Sequence, residues 1–375
     1  MISGERFVVT YLIFGSWEEA FNRAKDICIE QTVEFPVNLL PAGIITDQVV
    51  GRIESFEPDD AGYKAKISYA RETTANELTQ LLNVVFGNIS IKPGIKVEHI
   101  DLPPGMLSQC RGPRFGREGL RKLLGVPRRP LLFTALKPMG LSSKQLAELA
   151  YKFAIGGIDI IKDDHGLTDQ CFAPFAERIS LCSAAVQKAN RETGNQSIYV
   201  ANVTGAAGTI LQRAKQAKEA GAGGLMVAPA LVGFDGLRQL AAEDSISLPV
   251  FSHPAFIGSY VINKENGLSH QVLFGQLMRL AGADAVIYPS FGGRFSFSQS
   301  ECEAIARATQ DDIKGIKPIF PAPGGGMSID RVPEMYRVYG NEVMFLIGGG
   351  LFKQGADIVE NCRYFRNLIN EFVSA

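Results

Sequence analysis

The run Gly156-Gly157-Ile158-Asp159-Ile160-Ile161-Lys162-Asp163-Asp164-His165-Gly166 ends an apolar stretch in a lysine, two aspartates and a histidine. An apolar run bounded by glycines reads as a buried parallel strand. Strand side chains alternate, so Lys162 and Asp164 share one face with Ile160 behind them. A lysine and a carboxylate converging at the end of a buried strand suggest a site, with His165 as a possible third ligand. A salt-bridged strand end turning into solvent is the plain structural alternative.

Other residues could join such chemistry. Lys137 precedes a proline that fixes the chain. There it could act as a general base, or as a fixed cation beside an enolate. His253, one of four histidines, also precedes proline, and its imidazole suits proton transfer or a substrate hydrogen bond. Arg294 lies in a Gly-Gly-Arg-Phe loop among Phe291, Phe295 and Phe297, which reads as a lid that could deliver a cation. Asn202 stands at another strand end. Two triple-glycine runs, Gly324-Gly325-Gly326 and Gly348-Gly349-Gly350, can bring backbone N–H groups up to a phosphate. A snorkelling lysine, a structural histidine, a solvated arginine and tight rim turns are the plain alternatives.

The elements that must carry these residues alternate strand and helix. Strands are expected at Leu131–Lys137, Ile158–Asp164, Ser197–Val203, Gly224–Pro229, Leu248–His253, Asp284–Ser290, Ile316–Ala322 and Val343–Ile347. Helical patterns intervene, for example at Gln145–Ala154, Ile210–Ala220, Ser300–Thr309 and Ile358–Phe372. Eight such units with no G-x-G-x-x-G after the first strand favour an α/β (β/α)8 TIM barrel over a doubly wound sheet. A barrel sets its site at the carboxyl ends of the strands, where all these polar residues fall. Its usual phosphate site uses the loops after strands 7 and 8, where the glycine runs lie.

Residues 1–110 read differently, as βαββαβ, the pattern of a ferredoxin-like α+β domain. Residues 111–128 then form a connecting segment, and 129–375 form the barrel. A net charge of −1 offers no field for nucleic acid or an anionic membrane. No apolar run reaches the ~20 residues that span a bilayer. The start has no signal-peptide pattern. The six cysteines lack zinc or C-x-x-C spacing and read as reduced thiols of a cytoplasmic protein.

Taken together, these motifs resemble the large subunit of ribulose-bisphosphate carboxylase (RuBisCO). GGIDIIKDDH resembles its metal-site strand. FGNIS (Phe86–Ser90), GPRFG (Gly112–Gly116), the Leu136-Lys137-Pro138 run, FSHPAF (Phe251–Phe256) and the last GGG extend the likeness nearly end to end. HPAF and YPSFGGRF point to the RuBisCO-like proteins rather than the carboxylases. The resemblance implies that Lys162 captures CO2 as a carbamate, and that the carbamate, Asp164 and a third residue hold Mg2+. That third position is a glutamate in the family and His165 here, which suits a softer metal or none. Lys137 corresponds to the lysine that moves protons at the substrate carbon, and His253 to the strand-5 histidine. Glu30 and Asn88 match residues that complete the partner's site in a homodimer.

The departures carry meaning. Met139 replaces a second lysine, Arg294 the lid lysine that positions CO2, and Gly324 a serine. Pro254 and Ile287 replace the arginine and histidine of the far phosphate pocket. A second dianion there would be unpaired, which is costly. The substrate is therefore expected to carry one phosphate, on the Gly325, Gly326, Gly348, Gly349 and Gly350 side, and an apolar far end. CO2 fixation is not expected. The expected activity is enolisation or isomerisation of a monophosphorylated ketose, and the resemblance implies one such as 5-methylthioribulose 1-phosphate in methionine salvage. The alternatives are a 2,3-diketo-5-methylthiopentyl-1-phosphate enolase, a decarboxylase of a branched oxo sugar acid phosphate, and a silent metabolite-binding relative.

Overall fold

The structure, a computed structural model, describes residues 2–374. It divides into two compact units: Met1–Arg111 with Ile257–Leu277 and Ile313–Ile316, and Gly112–Phe256 with Met278–Asp312 and Lys317–Ala375. Among the described residues no helix is long and apolar enough to cross a membrane.

The smaller unit is built on β1 (Arg6–Ile13), β2 (Arg52–Asp59), β3 (Gly62–Ala70) and β4 (Ile95–Asp101). They align in the order β4-β1-β3-β2, each neighbouring pair antiparallel, which is the ferredoxin-like order. The helix Trp17–Glu30 starts at a capping box in which Ser16 and Glu19 bond each other's backbone. The second helix of this unit, Leu78–Phe86, starts only after a turn at Ala75 and Asn76. Ala75 and Asn76 have positive φ, which no helix accepts. A fifth strand, β10 (Gly267–Leu268), pairs in parallel with β4. Its residues belong to this unit although they follow the fifth barrel strand in sequence, so a single cut near residue 111 misses them.

The larger unit holds eight parallel strands: β5 (Leu131–Leu136), β6 (Ile160–Asp163), β7 (Ile198–Asn202), β8 (Gly224–Val227), β9 (Val250–Ser252), β11 (Ala285–Pro289), β12 (Phe320–Gly324) and β13 (Met344–Leu346). They run in the order β12-β11-β9-β8-β7-β6-β5-β13. Inward side chains form one core, among them Phe133, Ile160, Val200, Met226, Phe251, Ile287, Phe320 and Met344. At roughly 1.5–3 kcal/mol for each large buried side chain, this core is a main source of stability.

The barrel is nearly closed, with no hydrogen-bonded pairing between β12 and β13. The cause lies in the sequence. Pro321 and Pro323 occupy alternate positions of β12, and proline has no N–H for a ladder. The strand begins at Phe320, not at the expected Ile316, because Lys317-Pro318 precedes it and Ile313–Ile316 belongs to the smaller unit.

Gly156 and Gly157 set the entry to β6. A Cβ on Gly156 would lie 2.4 Å from Cys362 Cβ, and Gly157 has φ +86° against Arg366. Only glycines let the carboxyl-terminal helix Ile358–Ser374 approach this turn.

Candidate active site

β5 and β6 are neighbours, with Ala135 beside Lys162 and Leu136 beside Asp163. That register carries Lys137 and Asp164 to the same rim. Lys137 Nζ lies 2.7 Å from Asp164 Oδ1, and His165 Nδ1 is 3.4 Å from the same oxygen. Lys162 is 2% exposed. It donates to the Asp163 carbonyl at 3.0 Å. Burial, reinforced by the Lys137 charge, lowers its amine to about 8 against the pull of Asp164 and Asp163. Burial pushes the Asp164 carboxyl up, but hydrogen bonds from His165 and Lys137 and the two lysine charges outweigh it. Asp164 is held well below the usual carboxylate range.

His253 faces the same cluster. Its ring stacks on His165 with centroids 4.5 Å apart. Burial first, then the charges of Lys162 and His165, hold its imidazole well below the ordinary value, so it is neutral at pH 7. The Ala255 N–H donates to Nδ1 at 3.1 Å, which leaves the proton on Nε2. His253 is therefore a hydrogen-bond donor fixed at the rim.

Asn202 requires a correction. It is fully buried. Its Nδ2 donates to the carbonyls of His165 (3.0 Å) and Leu167 (2.8 Å), and its Oδ1 accepts from Thr204 N. Both amide N–H groups are spent on this loop and the residue is fully buried, so Asn202 positions the loop that carries Asp164 and His165.

A second buried group does similar work. Asp163 points to the face opposite Lys162. It accepts from Tyr199 OH (2.7 Å), Arg178 Nε (3.2 Å) and Asn202 N (3.0 Å). Arg178 donates on to the carbonyls of Ala173 and Thr168, both at 2.7 Å. The helix Phe175–Thr193 thereby ties down the whole loop after β6. The aspartate doublet was the available signal: by alternation, one of two adjacent carboxylates must face away from the barrel.

The glycine loops and the lid meet each other. The Arg294 N–H donates to Gly325 O at 3.0 Å. A Cβ on Gly325 would stand 2.9 Å from the Phe295 ring, and one on Gly326 2.9 Å from Arg294 N. Glycine at these two positions is thus required by loop packing, with or without an anion. Gly350 packs on Met327 O, Gly349 faces open space, and a Cβ on Gly348 would lie 3.8 Å from Lys137 Cε. Arg294 is exposed, its guanidinium 5.5 Å from the Phe295 ring centroid. Phe291 and Phe297 are buried and anchor the loop. Met139 is half exposed and lies over Gly166. Glu30 and Asn88 lie in the smaller unit, where Asn88 Nδ2 donates to Glu30 Oε1 at 3.1 Å.

The donor set decides how a metal could be held. Among the described residues no group of three His, Cys, Asp or Glu side chains could hold one. With Lys162 as an amine, only Asp164 and His165 offer lone pairs, and Asp164 is engaged by Lys137. Mg2+ prefers several oxygen donors, so the unmodified residues do not fit it.

A profile of the ribulose bisphosphate carboxylase large chain catalytic domain matches residues 116–360. A 5-methylthioribulose-1-phosphate isomerase of Rhodospirillum rubrum is 36% identical over 363 residues, 96% of this chain and 95% of its own. A 2,3-diketo-5-methylthiopentyl-1-phosphate enolase of Geobacillus kaustophilus is 34% identical, over 81% of this chain and 74% of its own. The crystal structure of a RuBisCO-like protein from Rhodopseudomonas palustris superposes with TM-score 0.88 at 37% identity, covering 98% of both chains.

Proposed function

The chain belongs to the ribulose bisphosphate carboxylase large-chain family, and from that premise we propose that it enolises and isomerises a monophosphorylated ketose without fixing CO2. The substrate is 5-methylthioribulose 1-phosphate, the compound in the name of the R. rubrum relative. The observation that carries this reading is the cluster of Lys137, Lys162 and Asp164 beside a neutral, Nε2-protonated His253.

Proton abstraction next to a carbonyl puts negative charge on the carbonyl oxygen. Preorganised donors aimed at that oxygen lower the barrier most. Unmodified Lys162 and His253 Nε2 supply such donors, and burial strengthens both; a carbamate on Lys162 would replace its donor with a metal. Lys137 moves the proton. Lys137 accepts a proton only as the free amine, so the ammonium paired with Asp164 must first release one proton to solvent before it takes the proton from the substrate carbon. The phosphate sits at the Gly348–Gly350 loop, with Gly349 open to it. Pro254 and Ile287 leave no partner for a second dianion, whereas Met139 suits a thioether.

CO2 capture by Lys162 would add oxygen donors, and the carbamate, Asp164 and His165 would then hold Mg2+ or a softer ion. Lowering of the Lys162 amine favours this, since carbamate forms from the neutral amine. Retention of added metal is then expected to require bicarbonate and to be lost in Lys162→Ala, measured by equilibrium dialysis. Glu30 and Asn88 complete the partner's site in a cytoplasmic homodimer.

Turnover by 1H and 31P NMR tests the assignment. Conversion of 5-methylthioribulose 1-phosphate, with none of ribulose 1,5-bisphosphate, is expected. Conversion of the bisphosphate, or of the diketo phosphate alone, would overturn it.

A further inference from the structure

At the opposite end of the barrel from the catalytic lysines, a cavity of about 420 Å3 opens where β5 and β6 begin. We propose that it is a second binding site, for a small phosphorylated sugar. Its walls carry three arginines and one acid. Arg129 grips Asp159 through two hydrogen bonds of 2.6 and 2.7 Å, so that pair is neutral. Arg366 is held by a 3.1 Å bond to Asn195 Oδ1 and packs against Gly157. Its remaining N–H groups are available. Arg128 is exposed and makes no hydrogen bond or ion pair among the described residues. The cavity therefore carries two positive charges that no lining carboxylate offsets.

A solvated arginine needs no ligand, but two arginines lining one concavity offer the charge that a phosphate dianion takes. The rest of the lining narrows the class. The helices Gly116–Leu124 and Phe175–Thr193 end in this wall at Gly125 and Gly194. The Gly125, Val126 and Gly194 N–H groups take the carbonyls of Arg121, Lys122 and Asn190, and the remaining carbonyls of the last turns can accept hydrogen bonds. Asn195 and Gln196 add amides. Phosphate on the arginines and hydroxyls on the carbonyls satisfy both halves, which neither a bare phosphate nor a neutral sugar does. The volume lies within the range of small-ligand pockets. Asp159 also accepts from Leu132 N at 2.7 Å, so the site abuts the strands that carry Lys137 and Lys162.

Calorimetry with ribose 5-phosphate tests the proposal, with inorganic phosphate and ribose as further arms. Gly349→Asp places a carboxylate in the catalytic phosphate loop, so binding there is suppressed. In that background one ribose 5-phosphate per chain is expected, more tightly held than phosphate or ribose. Arg128→Gln and Arg366→Gln should each weaken it about tenfold. Arg128 has no bonds to lose, so an unchanged melting temperature in Arg128→Gln separates lost binding from lost fold. Absence of binding, affinities within twofold in both arginine variants, or equal binding of the three probes would overturn the site.

Discussion

At the residue scale, the chemistry depends on which lysine does what. Lys162 is buried at a fixed place, whereas Lys137 reaches the same carboxylate from a half-exposed position. A fixed buried cation stabilises charge, and a movable one carries protons. Removing the proposed proton carrier should lower kcat by about 10²–10⁴-fold, so Lys137→Ala is expected to turn over slowly with KM little changed, measured by steady-state kinetics. These two lysines, Asp164 and His253 were legible in the sequence because strand alternation and strand ends can be read from pattern alone. The role of Asn202 is not legible in this way, since its partners are the backbone carbonyls of His165 and Leu167, which no side-chain pattern announces.

At the element scale, the loop after β6 is a clamped structure. Asn202→Ala leaves two carbonyls and the Thr204 N–H without partners, and should cost about 2 kcal/mol or more by denaturant titration. Arg178→Met leaves Asp163 buried and unpaired, which costs about 3–5 kcal/mol. Asp284 gives a pH-dependent case. It precedes β11 and accepts from the N–H groups of Phe115, Gly116 and Val250. Burial nonetheless raises its carboxyl to about 6. A raised carboxyl favours the protonated folded state, so this contribution is full below about 4 and is lost as pH rises to about 6. In Asp284→Asn the slope of stability between pH 4 and 6 should flatten. An unchanged slope would contradict the assignment. The start of β12 and the open β12–β13 seam escaped the sequence reading because Pro321 and Pro323 act through missing donors while the apolar pattern runs on.

At the scale of the whole molecule, the two-part architecture follows from the switch between βαββαβ and repeating βα order. What escaped was the return of 257–277 to the smaller unit, since a two-residue strand such as β10 has no period to detect. The proposed sharing of a site across a homodimer makes a complementation prediction. Asn88→Ala and Lys137→Ala, each weak alone, should recover about a quarter of wild-type activity when subunits are mixed, because half of the mixed dimers' sites are intact. No recovery on mixing would refute a shared site.

The central claim is enolisation directed by this rim. Its most direct test is deuterium exchange from D2O into 5-methylthioribulose 1-phosphate, followed by 1H NMR. Loss of the proton next to the carbonyl is predicted with the native chain, and its retention with Lys137→Ala. Retention with the native chain, or equal loss in both, would contradict the account.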